Sequence, residues 1–310
     1  MFKAVSIVCS ILLFCGCSMD ITRQSSESKQ TFAYSDQIRI SYEVHGNGTS
    51  PIVFLHGFGA SVETWRDIES RLAQGNKLYF LDLKGFGLSS KPDDGKYSVD
   101  DEADVVLAFM KSQNLHDVTL VGHSYGGAVC LFTYFKDRSI QPGSSITRLI
   151  LIDAAAYVQA FPSFIGVLRI PVINWIAMNL VPARMSASYV LHQLFHDAAR
   201  LSDERISRHA EFLSQPGSFN SFVQCAKQML PTNPDSMAAL IKTIRVPTLI
   251  LWGADDTAIP VAEARRLHQD IRTSRLVILP NCGHVPHEEM PEESLSAILS
   301  FLKARSAEEE

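Results

Sequence analysis

The chain has 310 residues, 46% of them hydrophobic, and 28 Lys and Arg against 33 Asp and Glu give a formal net charge of −5. That is enough apolar material for one large core, or a core with a subdomain, and marks a globular protein with no disorder beyond its ends. Its cations are scattered and outnumbered, so no basic stripe exists to hold phosphates, which excludes nucleic acid as a partner.

The N-terminus carries an export pattern: Lys3 as a positive n-region, an apolar h-region over residues 4–14, and Gly16 as a small residue before Cys17. The apolar run is too short for an ordinary membrane span. Phe14-Cys15-Gly16-Cys17, followed by Ser18, resembles the lipobox of bacterial lipoproteins, although Phe14 and Cys15 differ from its commonest residues. The resemblance implies a signal peptide over residues 1–16 and lipidation at Cys17. With Ser18 rather than aspartate next, it implies an exported lipoprotein of the outer membrane, facing periplasm or surface. Residues 20–31 are polar and rich in Ser, Gln and charge, as in a flexible tether, here predicted over residues 17–35. Three of the six cysteines lie in the signal region; Cys130, Cys225 and Cys282 remain. An odd number at wide spacing makes no disulfide framework, and although one pair is open, they read as partly buried free thiols acting as small hydrophobes.

Beyond the tether, β-rich runs at residues 38–44, 52–55, 78–81, 118–121, 149–152, 248–251 and 276–279 alternate with helical patterns. Several are continuous apolar runs, which suits strands buried on both faces of a parallel sheet. Residues 99–113 put Ala103, Val106, Leu107 and Met110 at helical spacing, with Asp100, Asp101 and Glu102 placed to complement the helix N-terminus. From about residue 156 to 245 no strand is evident, and residues 161–185 are apolar but broken by Pro162, Arg169, Pro171 and Pro182, too short a run to span a membrane. Near the end, Pro291 opens a helix with Leu295, Ile298, Leu299 and Leu302 on one face. The prediction is an α/β protein with a doubly wound, mostly parallel sheet: core over residues 36–155 and 246–305, an inserted helical cap over 156–245, and a solvated acidic tail at 306–310.

Gly122-His123-Ser124-Tyr125-Gly126 fits the Gly-x-Ser-x-Gly elbow, with an apolar strand before it and helical patterning after it. The strained turn brings strand and helix so close that a Cβ at either glycine would clash. Ser124 is the candidate nucleophile. A serine hydroxyl needs a base to take its proton and a third group to orient that base. His284 follows the run 276–279 and Asp256 follows 248–251, so all three lie after strands, at one edge of the sheet, in the order Ser, Asp, His. Asp255 and Asp153 are the competing acids. His284 and His287 are three apart, but no further ligands accompany them, and no metal or cofactor is expected.

These segments resemble the α/β-hydrolase fold superfamily over residues 38–302. His56-Gly57-Phe58-Gly59 resembles its oxyanion loop. Asp82-Leu83-Lys84-Gly85-Phe86-Gly87-Leu88-Ser89 resembles its Asp-x-x-Gly-x-Gly-x-Ser loop, with Lys84 where proline or arginine is common. Trp252-Gly253-Ala254-Asp255-Asp256, running on to Pro260, and Gly283-His284 match its acid and base segments. The match selects Asp256 over Asp255, and implies oxyanion donors at the backbone N–H groups of Phe58 and Tyr125, each able to stabilise the intermediate by about 3 kcal/mol. His56 then braces the oxyanion loop, and His123 packs beside the nucleophile.

The resulting expectation is a carboxylesterase or lipase-like serine hydrolase. An apolar cap containing Phe161, Phe164, Ile165, Trp175, Ile176 and Met178 suggests an apolar acyl group, and an anchor at a membrane suggests lipid esters. Serine at the elbow argues against haloalkane dehalogenases and epoxide hydrolases, which use aspartate there. Carbon–carbon bond hydrolases, thioesterases, amidases and perhydrolases share the serine. A non-catalytic ligand-binding protein on the same scaffold is the rival from another class.

Overall fold

Eight strands form one sheet: β1 (Gln30–Ala33), β2 (Arg39–His45), β3 (Ser50–Leu55), β4 (Asn76–Leu81), β5 (Val118–His123), β6 (Ile146–Ile152), β7 (Thr248–Gly253) and β8 (Ser274–Leu279). Their spatial order is β1-β2-β4-β3-β5-β6-β7-β8, antiparallel from β1 to β4 and parallel from there to β8. The computed structural model describes residues 29–140, 144–158, 162–229 and 234–304. The predicted signal peptide, Cys17 and the acidic tail lie outside the described residues. The sheet begins at Gln30, inside the stretch predicted as tether. This short edge strand pairs with β2 from Gln30 opposite Tyr42 to Ala33 opposite Arg39.

Successive side chains of a strand point to opposite faces, and here both faces are covered. Val53, Leu55, Leu120, Leu149 and Leu151 pack with Val106, Phe109 and Val129 from helices Val99–Ser112 and Tyr125–Ile140. Ile52, Phe54, Phe80, Ile150 and Leu249 pack the other way, with Ile68 and Leu72 of helix Arg66–Leu72 and Leu295, Ile298 and Phe301 of helix Pro291–Lys303. Each such aliphatic or aromatic side chain removed from water contributes about 1.5–3 kcal/mol, which accounts for the apolar runs of the central strands. Cys130, Cys225 and Cys282 are free and buried.

Helix Val99–Ser112 opens with a capping box between Ser98 and Asp101. Glu102 stands in the first turn with Asp100 and Asp101 as expected, but it turns inward, fully buried, and accepts a hydrogen bond from the Lys84 backbone N–H at 3.2 Å. Burial pushes its carboxyl up to about 8 although nearby Lys84 works against the shift.

Between β6 and β7 the described residues form helices and no strand, a helical segment termed the cap. Helix Asp203–Leu213 fastens it to the core: Arg205 pairs with Glu288 and, at 2.7 Å, with Asp67, while Arg208 reaches Glu63 at 3.3 Å. No helix among the described residues is long and apolar enough to cross a membrane.

Candidate active site

Ser124 stands at the turn from β5 into helix Tyr125–Ile140 with φ +52°, a left-handed conformation that a residue with a Cβ seldom adopts. A Cβ on Gly122 would meet the Gly126 carbonyl, and one on Gly126 would meet the Leu55 carbonyl, so both glycines are required by close approach. The helix N-terminus brings its unpaired N–H groups and positive end to the serine.

His284 follows β8 and Asp256 follows β7. His284 Nε2 lies 2.9 Å from Ser124 Oγ, and His284 Nδ1 lies 2.8 Å from Asp256 Oδ2. Asp256 Oδ1 accepts the Ala258 and Ile259 N–H groups at 2.7 and 2.9 Å, so the carboxylate is held at both ends. Burial alone would raise the Asp256 carboxyl, but the charge and hydrogen bond of His284, with the Ile259 N–H bond, bring it below the ordinary carboxylate value. In this geometry Nδ1 carries the proton facing Asp256, leaving Nε2 to accept from the serine.

Asp255 takes no part in this chain. It is half-exposed and faces His196 Nδ1 at 3.6 Å. Asp153 is close by: Asp153, Asp256 and His284 each bring a ligand atom within 4.8 Å of the others. Asp153 has φ +41°, is fully buried, and accepts the Gly253 N–H at 3.0 Å. Its other oxygen, Oδ2, is buried without a hydrogen-bond partner among the described residues and lies close to the Asp256 carboxylate, where two negative charges disfavour each other. Burial first, then the Asp256 charge, pushes the Asp153 carboxyl well up, making it the protonated partner. Asp256 is committed through Oδ2 to His284 and through Oδ1 to two backbone N–H groups, an arrangement that orients the imidazole. His287 is turned elsewhere, stacked on Trp65 with Nε2 2.9 Å from Thr64 Oγ1.

Phe58 and Tyr125 both border the cavity at Ser124. The Phe58 loop is braced by His56, which donates from Nδ1 to the Gly57 carbonyl at 2.8 Å and accepts the Leu83 N–H on Nε2 at 3.0 Å. Asp82 ties the adjoining Gly-rich loop by accepting the Val62 and Leu88 N–H groups at 2.9 and 2.8 Å. His123 packs beside His284, Nε2 donating to its backbone carbonyl at 2.8 Å, and burial followed by the His284 charge pushes its imidazole down to about 3.

His56 gives a pH prediction. Burial pushes its imidazole down to about 4 from the usual 6.5, with the Gly57 bond only partly offsetting this. The unfolded chain therefore binds this proton more readily. Stability from neutral His56 is complete above pH 6.5 and is lost as pH falls from 6.5 toward 4, by about 3 kcal/mol. Calorimetric melting temperatures of His56→Gln are expected to fall less steeply than those of the wild type across that window; parallel curves would contradict it.

A cavity of about 500 Å³ opens at Ser124 beneath the cap. Phe164 and Ile165 line it as expected, with Leu168, Leu191 and Phe222. Trp175 and Ile176 do not; they face outward. Phe161 and the side chain of Met178 lie outside the described residues. Sequence reading missed Glu289, a buried carboxylate that accepts the Gly283 N–H at 2.7 Å and the His196 and Asp197 N–H groups at 3.1 and 2.7 Å, joining the His284 loop to the cap. Two adjacent acids four and five residues past a candidate base are the local signal of it.

The model of the Alpha/beta hydrolase family matches residues 52–297, and the chain belongs to that family. Over 294 residues, 91% of this chain and 94% of the relative, it is 27% identical to 2-hydroxy-6-oxo-6-(2'-aminophenyl)hexa-2,4-dienoic acid hydrolase of Metapseudomonas resinovorans. Among solved structures it resembles a thermophilic esterase from Thermogutta terrifontis, with TM-score 0.73 and 25% identity over 89% of this chain and 97% of that one. It also resembles a membrane phospholipase A described as a bacterial virulence factor, with TM-score 0.74 and 25% identity over 90% of this chain and 86% of that one.

Proposed function

We propose that the protein is a serine hydrolase that cleaves carboxylic esters of apolar acyl groups through an acyl-enzyme on Ser124. Ser124 Oγ attacks the ester carbonyl carbon while its proton passes to His284 Nε2, and Asp256 holds the resulting imidazolium. The Phe58 and Tyr125 N–H groups receive the oxyanion. Collapse of the intermediate expels the alcohol, which takes the proton from His284, and a water molecule repeats the sequence to release the acid.

The observation that carries the reading is the Ser124–His284–Asp256 chain at the mouth of an apolar cavity whose described lining contains no Lys or Arg. The Metapseudomonas relative favours a second reading, carbon–carbon bond hydrolysis. Its named substrate is an acid, ionised at neutral pH, and such a carboxylate would meet no Lys or Arg in the described lining, where Arg205 is already paired with Glu288. A graded series of p-nitrophenyl esters is expected to show kcat/KM rising from acetate to medium acyl chains. Faster turnover of a 2-hydroxy-6-oxo-dienoic acid than of any ester would favour the second reading instead.

The same proposal holds the domain outside the cytoplasm at the outer membrane, by the sorting pattern of Ser18, through lipidated Cys17. Support comes from Lys3, the apolar run 4–14 and Gly16. Cys17→Ser is expected to move the protein into the soluble fraction of lysed cells; retention in membranes would count against lipidation.

A further inference from the structure

Helix Pro171–Leu180 turns an apolar face to water. Val172, Trp175, Ile176 and Leu180 share that face at helical spacing and are 70%, 54%, 43% and 67% exposed. Asn174, on the opposite face, is buried and donates to the Leu168 carbonyl at 2.9 Å. No residue in 170–183 carries a charge. Monomeric soluble proteins rarely leave an apolar patch of this kind bare. It adjoins the cavity mouth, where Val181, Met185 and Tyr189 are at once exposed and part of the lining.

We propose that this cap face docks at the headgroup boundary of a lipid bilayer and admits acyl-bearing substrate from it into the cavity. The inference rests on the ester-hydrolase reading and narrows its substrates to lipid esters. Entry into lipid would strip water from no ion on this face, and the rings of Trp175 and Tyr189 are of the kind that settle at the interface. The chain outside the described residues fits this occupant. From Cys17 to Lys29 an extended tether reaches at most roughly 40 Å, on the order of a folded domain's diameter, so a domain anchored at Cys17 can lay its cap on the same membrane. A second copy of the chain fits less well. One helix face about 15 Å long is small beside the roughly 800 Å² per partner that a stable complex buries.

Trp175 supplies its own probe, because the other two tryptophans, Trp65 and Trp252, are fully buried. Full-length Ser124→Ala protein, unable to consume lipid, is mixed with phosphatidylcholine and phosphatidylglycerol vesicles carrying brominated or ordinary acyl chains. Brominated chains are expected to quench at least half of the Trp175 emission. Val172→Asp with Ile176→Asp, in otherwise native protein, is expected to hydrolyse a water-soluble short ester normally but a vesicle-borne long-chain ester at least tenfold more slowly; the same pair in the Ser124→Ala protein abolishes quenching. Absence of quenching, or a dimer that the paired aspartates dissociate, overturns the docking while leaving short-ester turnover intact. Quenching without any ester turnover overturns the hydrolase reading, and with it the admission of substrate.

Discussion

Ser124→Ala is expected to lower kcat/KM for ester hydrolysis by roughly 10⁵-fold, because it removes the atom that attacks the carbonyl. The melting temperature is expected to change little: alanine keeps the Cβ and therefore the strain of φ +52°. Ser124→Gly is equally inactive yet melts higher, since glycine relieves about 1 kcal/mol of left-handed strain. Loss of activity joined to a gain in stability separates a strained nucleophile from a serine that merely packs. Circular-dichroism melts and ester kinetics on the two variants check this, and an active alanine variant would remove Ser124 from the mechanism.

The second large effect separates two aspartates. In Asp256→Asn the amide can donate toward His284 Nδ1, which then accepts and leaves the proton on Nε2, the wrong atom for receiving one from Ser124. A loss of about 10⁴-fold in kcat is expected. Asp153→Asn is expected to stay within about tenfold of the wild type, about 1.4 kcal/mol in barrier, because a neutral amide replaces a carboxyl already held protonated by burial and by Asp256. Steady-state kinetics on both variants decide it. Equal losses would mean that Asp153 carries part of the charge that orients His284.

The sheet was legible wherever strands are buried on both faces, since β3 to β7 announce themselves as apolar runs. β1 was not: Gln30-Thr31-Phe32-Ala33 has no strong pattern of its own and is a strand because β2 offers it an edge. The convergence of Ser124, Asp256 and His284 was legible because each follows a strand, and the structure brings the three to hydrogen-bond distance. The acids Glu102, Glu288 and Glu289 were not legible as buried. What buries them lies far along the chain: Lys84 for Glu102, Arg205 and Thr64 for Glu288, the cap backbone at His196 and Asp197 for Glu289. Trp175 and Ile176 were read as part of an apolar cap that suggests an apolar acyl group, and apolarity says that a helix has an apolar face but not which way the face is turned.

If Ser124 is an activated nucleophile in an acyl-transfer site, it reacts with electrophilic phosphorus as it does with an ester carbonyl. Peptide mass spectrometry after treatment of the native protein with a fluorophosphonate tests it most directly. The predicted result is a single phosphonylated residue, Ser124, formed in step with loss of esterase activity and absent from His284→Ala at neutral pH; an unmodified Ser124 in protein that remains active would contradict it.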